Sequence, residues 1–204
     1  MKQHLAQTES WWKTGAQAML ACVALCLCTV AFASQVLPIA YANTNSSDWD
    51  QGDYLKIALW ISEGGAFSDG NRNPLYPLIL APLATRSMAF FTTGKLLSVA
   101  IGCVGLAVTA SVARRHVGIA GALATTALLA NNIEYQIAAA HVDVEVLLAP
   151  LFFLAWHLCG RMMTEFASDH QPRVYIVLAA GAVTGLSYLA KGTGLLIVPI
   201  VLAV

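Results

Sequence analysis

Carboxylates are scarce in this 204-residue chain, yet Asp48, Asp50 and Asp53 fall within the single stretch Asp48-Trp-Asp-Gln-Gly-Asp-Tyr54. A carboxylate held beside an acceptor hydroxyl can take its proton while a phosphate-linked donor is attacked. The same groups can instead close Asx turns, and Asp50 and Asp53 can cap a following helix at its positive end. Spacing alone leaves both roles open.

A second set is His141-Val-Asp-Val-Glu145. On a helix, His141 and Glu145 would share a face while Asp143 points elsewhere. Carboxylates close to a membrane interior are costly and usually functional, which favours Glu145. Asp143 fits the start of a helix, where its charge complements the dipole. His141 with Glu145 would begin a divalent-metal site, although two ligands do not complete one. The third set is Ala190-Lys-Gly-Thr-Gly194, where glycines let the backbone turn between apolar segments. Lys191 could snorkel to the interface, bind a phosphate or pair with Glu145, and the sequence leaves all three open.

The elements that must position these groups belong to a membrane. Hydrophobic residues make up 58% of the chain and charged ones 11%, less than half the usual charged share. The mean hydropathy is +0.67, and apolar runs of spanning length recur. No Lys/Arg cluster exceeds two residues and the net charge is zero, so nothing points to nucleic acid. The five cysteines lie in apolar runs without metal spacing and read as small buried hydrophobes.

Spans are expected at about residues 16–40, 93–113, 118–138, 144–160 and 174–189, with another beginning at 195. The first could be a signal peptide, because Ala31-Phe-Ala-Ser34 resembles a cleavage site. Its apolar run continues through Val36-Leu-Pro-Ile39, however, so it reads as an uncleaved helix. The expected fold class is all-α: a polytopic membrane helix bundle with an amphipathic first loop over residues 41–92. Within that loop Tyr54–Glu63 has helical spacing, with Leu55, Leu59 and Ser62 on one side and Ile57 and Ile61 on another. It is expected to lie along the membrane surface. Pro74–Ala84 is too short and too broken by proline to span, and reads as interfacial or re-entrant.

Lys2, Lys13, Arg114, Arg115, Arg161 and Arg173 fall on one side of this topology, which should be the cytoplasm. The N-terminus would then be cytoplasmic, with residues 41–92 and 139–143 outside a cell (inner) membrane. Lys56, Arg72, Arg86 and Lys95 fall on the outer side against the rule, which marks them as candidates for function. Because the chain stops inside the apolar run Leu195–Val204, it is expected to be the N-terminal part of a longer protein.

The three sets, in this order, resemble the GT-C superfamily of lipid-linked-sugar glycosyltransferases, and most the protein O-mannosyltransferase and aminoarabinose-transferase branch. The branch's Asp-x-x-x-Tyr element is matched by Asp50-Gln-Gly-Asp-Tyr54, with Ile57-Ala58 following. Its basic-Pro segment with aromatics is matched by Arg72-Asn-Pro-Leu-Tyr76. Its later Gly and Lys-Gly signature is matched by Gly181, Gly185 and Lys191-Gly192, and its acidic residue at the fourth span by Glu145. In the aminoarabinose branch the residue directly before the proline is basic, whereas here it is Asn73.

The resemblance implies a membrane enzyme that transfers a sugar from a polyprenyl-phosphate donor to a glycan, lipid or protein acceptor outside the membrane. It implies Asp50 as catalytic base, Arg72 beside the donor phosphate, and Tyr54, Tyr76, His141, Glu145 and Lys191 around the substrates. Chemistry alone asks for the same parts: a carboxylate outside the bilayer and a cation for the leaving phosphate, with Arg72, Lys95 or Lys191 as candidates. A secondary transporter would need repeats with mid-membrane polar residues in two halves, and no repeat is visible. A non-catalytic assembly subunit is the other alternative.

Overall fold

The chain, a computed structural model, is described over residues 2–167 and 171–196. Every regular element there is helical. Helix α1 covers Lys2–Ala42, α2 Gln51–Ser62, α3 Leu75–Leu80, α4 Met88–Ala130, α5 Ile133–Ala140, α6 Glu145–Ala167 and α7 Val174–Ala190. Short 3-10 turns follow α3 (Ala81–Leu83) and α7 (Gly192–Leu196). Ala18–Ala42, Met88–Ala130 and Glu145–Ala167 are long and apolar enough to cross a bilayer, which makes this a membrane protein. The span expected from residue 195 runs outside the described residues, as do the side chains of Lys2 and Lys13.

Helix α1 buries the stripe Phe32, Val36 and Ala40. These side chains are four apart, as one helix face requires. The face meets α4, whose buried stripe runs through Phe91, Gly94, Ser98, Gly102, Gly105 and Thr109. Small residues let the backbones approach, as they do between membrane helices. A methyl group on Gly102 would meet the Phe32 ring at 3.0 Å and Ala139 at 3.1 Å, so a larger residue there would have to push the ring or α5 aside by a few tenths of an ångström.

The spans expected at 93–113 and 118–138 arise from one long element that reverses at Gly118. Its φ of 70° and ψ of −174° lie where residues with a Cβ are strained. The returning arm is not a single helix. It breaks at Asn131 and Asn132, and the Asn132 side chain accepts the Tyr135 amide at 2.9 Å to start α5. Two polar, turn-forming asparagines overrule the apolar run around them. Helix α5 then lies against the first arm of α4, with the Tyr135 hydroxyl donating to the Gly102 carbonyl at 3.1 Å.

Two further expectations are corrected here. The buried face of α2 is Gln51, Tyr54, Ile57 and Ala58, which is neither of the two groupings expected from its spacing, and it packs on α3 and the bundle core. Cys22 and Cys26 are exposed on the outer side of α1, so of the five cysteines only Cys159 is buried. Pro74–Ala84 does not span, and its α3 inserts Tyr76 and Leu80 fully into the core.

The basic residues against the charge rule all have partners. Arg86 donates to Glu63 at 2.7 Å, and the Lys56 ammonium lies 4.7 Å from the centre of the Trp60 ring. Lys95 is 4% exposed and donates to the Ala40 and Asn43 carbonyls, both at 2.5 Å. A helix end leaves its last carbonyls without partners, and the Lys95 ammonium satisfies two at the end of α1. Lys95 is therefore a cap, and is not free to meet a phosphate. Lys95→Met strands both carbonyls, and unfolding in detergent is expected to show a loss of about 2 kcal/mol or more.

Candidate functional site

The acidic stretch is folded by its own side chains. Asn45 donates to Asp48 and accepts the Ser47 amide at 3.1 Å, closing a tight turn after α1. Trp49 follows with φ of 53°, a left-handed conformation rare outside glycine and costing roughly 1–3 kcal/mol. That backbone lays the indole parallel to the His141 ring, with centroids 5.1 Å apart and an interplanar angle of 12°.

Asp50 then occupies the N-cap position of α2, but its carboxylate accepts no bond from the helix amides. It turns instead to Arg72, which donates to Asp50 Oδ1 at 2.7 Å. The same guanidinium reaches Asp53 at 2.6 Å and Asp69 at 2.8 Å. Asp69 also accepts the Asn71 and Arg72 amides at 2.9 and 2.8 Å, which pulls its carboxyl below the usual range. The bond to Asp50, with those to the other carboxylates, pushes the Arg72 pKa further up. Arg72 is therefore an organiser of carboxylates. Any phosphate would have to compete with three of them.

Beneath this layer sits Gln51, which is 1% exposed. Its Oε1 accepts from Asn43 at 2.9 Å and from the Val142 amide at 3.1 Å. Its Nε2 donates to the Asp48 carbonyl at 3.1 Å. One amide thus ties the end of α1, the acidic turn and the α5–α6 linker together.

That linker is where the sequence misleads. His141 lies in extended backbone after α5, and α6 begins only at Glu145, so the two do not share a helix face. His141 directs Nδ1 at the Ile137 carbonyl at 2.8 Å, while Glu145 forms a salt bridge with Lys191. Among the described residues no three His, Cys, Asp or Glu side chains gather as a metal-ligand set. Asp143 accepts the Glu145 amide at 3.1 Å, the dipole-end role its position suggested. Burial raises its pKa, and the neighbouring Glu145 adds to the rise. Lys191 follows α7 in extended backbone, and its bond to Glu145 raises its pKa.

These pieces enclose a cavity of about 620 Å³ at the end of the bundle away from Arg114 and Arg115. Asp50, Asp143, Glu145 and Lys191 line it, with Trp49, Tyr54 and Tyr135 as aromatic walls. Burial pushes the Tyr54 phenol above its ordinary range, with Asp143 and Asp50 adding to the effect, so it stays neutral. Of the residues expected at the site, Asp50, Tyr54, Glu145 and Lys191 come together. Arg72 and His141 stand behind the lining. Tyr76 is fully buried under Tyr54, edge to face at 5.4 Å, and bonds to Ser98.

Sequence reading missed Gln51, Trp49, Asp69 and Glu134, which also lines the cavity. The Asp69-Gly70 pair carries a turn signature that could have flagged Asp69. Nothing in the sequence distinguishes Gln51. Comparison of the chain with protein-family models, with curated proteins and with solved structures finds no match in any of the three.

Two measurements probe this geometry. Gln51→Leu leaves the Val142 amide buried without an acceptor, and is expected to cost about 1–3 kcal/mol in detergent unfolding. The raised Asp143 pKa means that the folded state holds its proton more tightly than the unfolded chain does. That contribution is present below the ordinary value of 3.8 and is lost as pH rises through the raised one. Asp143→Asn keeps an acceptor for the Glu145 amide, so it should gain stability relative to wild type as pH rises above the ordinary value of 3.8.

Proposed function

We propose that the protein is a membrane glycosyltransferase of the GT-C kind. It would move a sugar from a polyprenyl-phosphate donor to an acceptor hydroxyl on the extracytoplasmic side. One observation carries the reading: the Asp50 carboxylate and the Lys191 ammonium line a single cavity at one end of membrane-length helices. A donor whose lipid lies in the bilayer presents its anomeric carbon at that level. Arg114, Arg115, Arg161 and Arg173 sit toward the other end, and by the charge rule that end is cytoplasmic.

The parts then divide by chemistry. Arg72 holds Asp50 through Oδ1, and no described residue donates to Oδ2. Oδ2 takes the acceptor's proton as the acceptor oxygen bonds to the anomeric carbon. The bond from that carbon to the phosphate oxygen breaks on the opposite face, and polyprenyl phosphate leaves with the electron pair. The anomeric centre inverts. Lys191 is the cation on the cavity wall for the leaving phosphate, so the phosphate role expected of Arg72 passes to it. Arg72 becomes a positioning residue. Trp49, exposed on the cavity wall, offers a flat apolar face on which a sugar ring can rest.

The test uses the full-length protein in vesicles with polyprenyl-phosphate sugars. Asp50→Asn should slow transfer by on the order of a hundredfold or more with donor binding retained. Lys191→Gln should chiefly weaken the donor, seen as a raised KM. Transfer unchanged in Asp50→Asn overturns the assignment.

A further inference from the structure

A second cavity lies at the opposite end of the bundle and plays no part in the proposed transfer. It is a groove of about 570 Å³ between α1 and the hairpin of α4 around Gly118. Its apolar walls come from Ala18, Ala21 and Leu25 on α1 and Leu123 on α4, with Arg114 and Arg115 on the same lining. Among the described residues no acidic side chain lines it. Neither arginine forms an ion pair with any described residue, although every other cation toward the acidic end is engaged. Both arginines are exposed.

The level of these arginines along α4 follows from helix geometry. Gly94, packed against Val142 beside the acidic cavity, precedes Arg114 by twenty residues. At about 1.5 Å per residue that is about 30 Å, the thickness of the hydrocarbon core. With the acidic cavity at one interface, Arg114 and Arg115 therefore lie at the headgroups of the other. Trp156, exposed and 4.6 Å from the neighbouring His116 ring, stands at the same level, where amphipathic aromatics collect.

We infer that this groove binds one anionic glycerophospholipid, its phosphodiester on Arg114 and Arg115 and an acyl chain along the α1–α4 groove. Charge complementarity selects this occupant. A zwitterionic lipid brings no net charge to two unpaired guanidinium groups, and a second copy of the chain would have to bring carboxylates to a headgroup level. Arginine suits a phosphate because its fork of N–H donors matches two oxygens. The inference requires membrane insertion but not sugar transfer, so it stands or falls independently of Asp50.

The experiment is native mass spectrometry of the full-length protein, released from bilayers containing equal phosphatidylglycerol and phosphatidylcholine. Wild type should retain phosphatidylglycerol in preference. Arg114→Gln with Arg115→Gln should cut that preference on the order of tenfold or more, and the paired Lys substitutions should largely keep it. Ala21→Phe, which fills the groove with both arginines intact, should lower retention of the lipid and keeps the test decisive if the double variant fails to fold. Equal retention of the two lipids by wild type overturns the inference. So does a preference that survives the double Gln substitution, or a lipid-free dimer.

Discussion

The geometry of the acidic end depends on one buried amide. Gln51 is the first residue of α2 and almost without solvent contact, so each of its polar atoms must find a partner inside the protein. It finds them in Asn43, in the acidic turn and in Val142. These partners come from segments separated by up to 91 residues in sequence. An aliphatic side chain would fill the volume but leave the Val142 amide unpaired, whereas the amide can satisfy all three at once. Asp50 is the residue immediately before it. The position of the candidate base is therefore set by a neutral side chain whose own chemistry takes no part in a reaction.

On that platform the charges arrange themselves by local competition. Carboxylates outnumber cations around the cavity, and each nearby cation is already claimed: Arg72 by Asp50, Asp53 and Asp69, Lys191 by Glu145. Partly exposed pairs of this kind contribute little to stability, since water solvates the separated ions almost as well. Their effect is on orientation. In the proposed transfer the Lys191–Glu145 pair could open to a phosphate at small cost, because both side chains are part-exposed and water would solvate the released Glu145 carboxylate. Arg72, held by three carboxylates, exchanges far less readily. This contrast is why Lys191, not Arg72, is assigned to the leaving phosphate.

How much of this was legible in the sequence follows from the range of each interaction. The apolar runs that make α1, α4 and α6 are local signals, and hydropathy reads them directly. Arg114 and Arg115 mark the reversal because charge is excluded from the hydrocarbon, and Gly118 supplies the backbone freedom beside them. The break at Asn131 and Asn132 was lost because apolar residues on both sides dominate any average over spanning length. At α2 the period showed the helix but not its buried face. Tyr54 and Gln51 belong to its buried face, and neither is apolar enough to declare it. Asp50, Tyr54, Glu145 and Lys191 were found because polar groups in an apolar chain need a reason to be there. The same logic overcounted Lys95, whose reason is the end of α1 and not a ligand.

The two ends of the bundle are coupled by length, since the first arm of α4 carries both. Its stripe of Gly94, Gly102 and Gly105 holds α1, α5 and α6 close along the way, so an added side chain there meets a neighbour at once. Close packing by small residues relies on contact at every turn, and it resists sliding because each glycine faces a particular partner. The Phe32 ring seats against Gly102, and Val142 against Gly94. The Val142 amide is also bonded to Gln51. A shift of α4 along its axis would therefore move the linker that carries Asp143 and Glu145, and with it the wall of the acidic cavity. In the lipid reading of the second groove, bilayer thickness would act on the same helix through Arg114 and Arg115. The spacing of the two ends is thus fixed by the same packing that shapes the cavity.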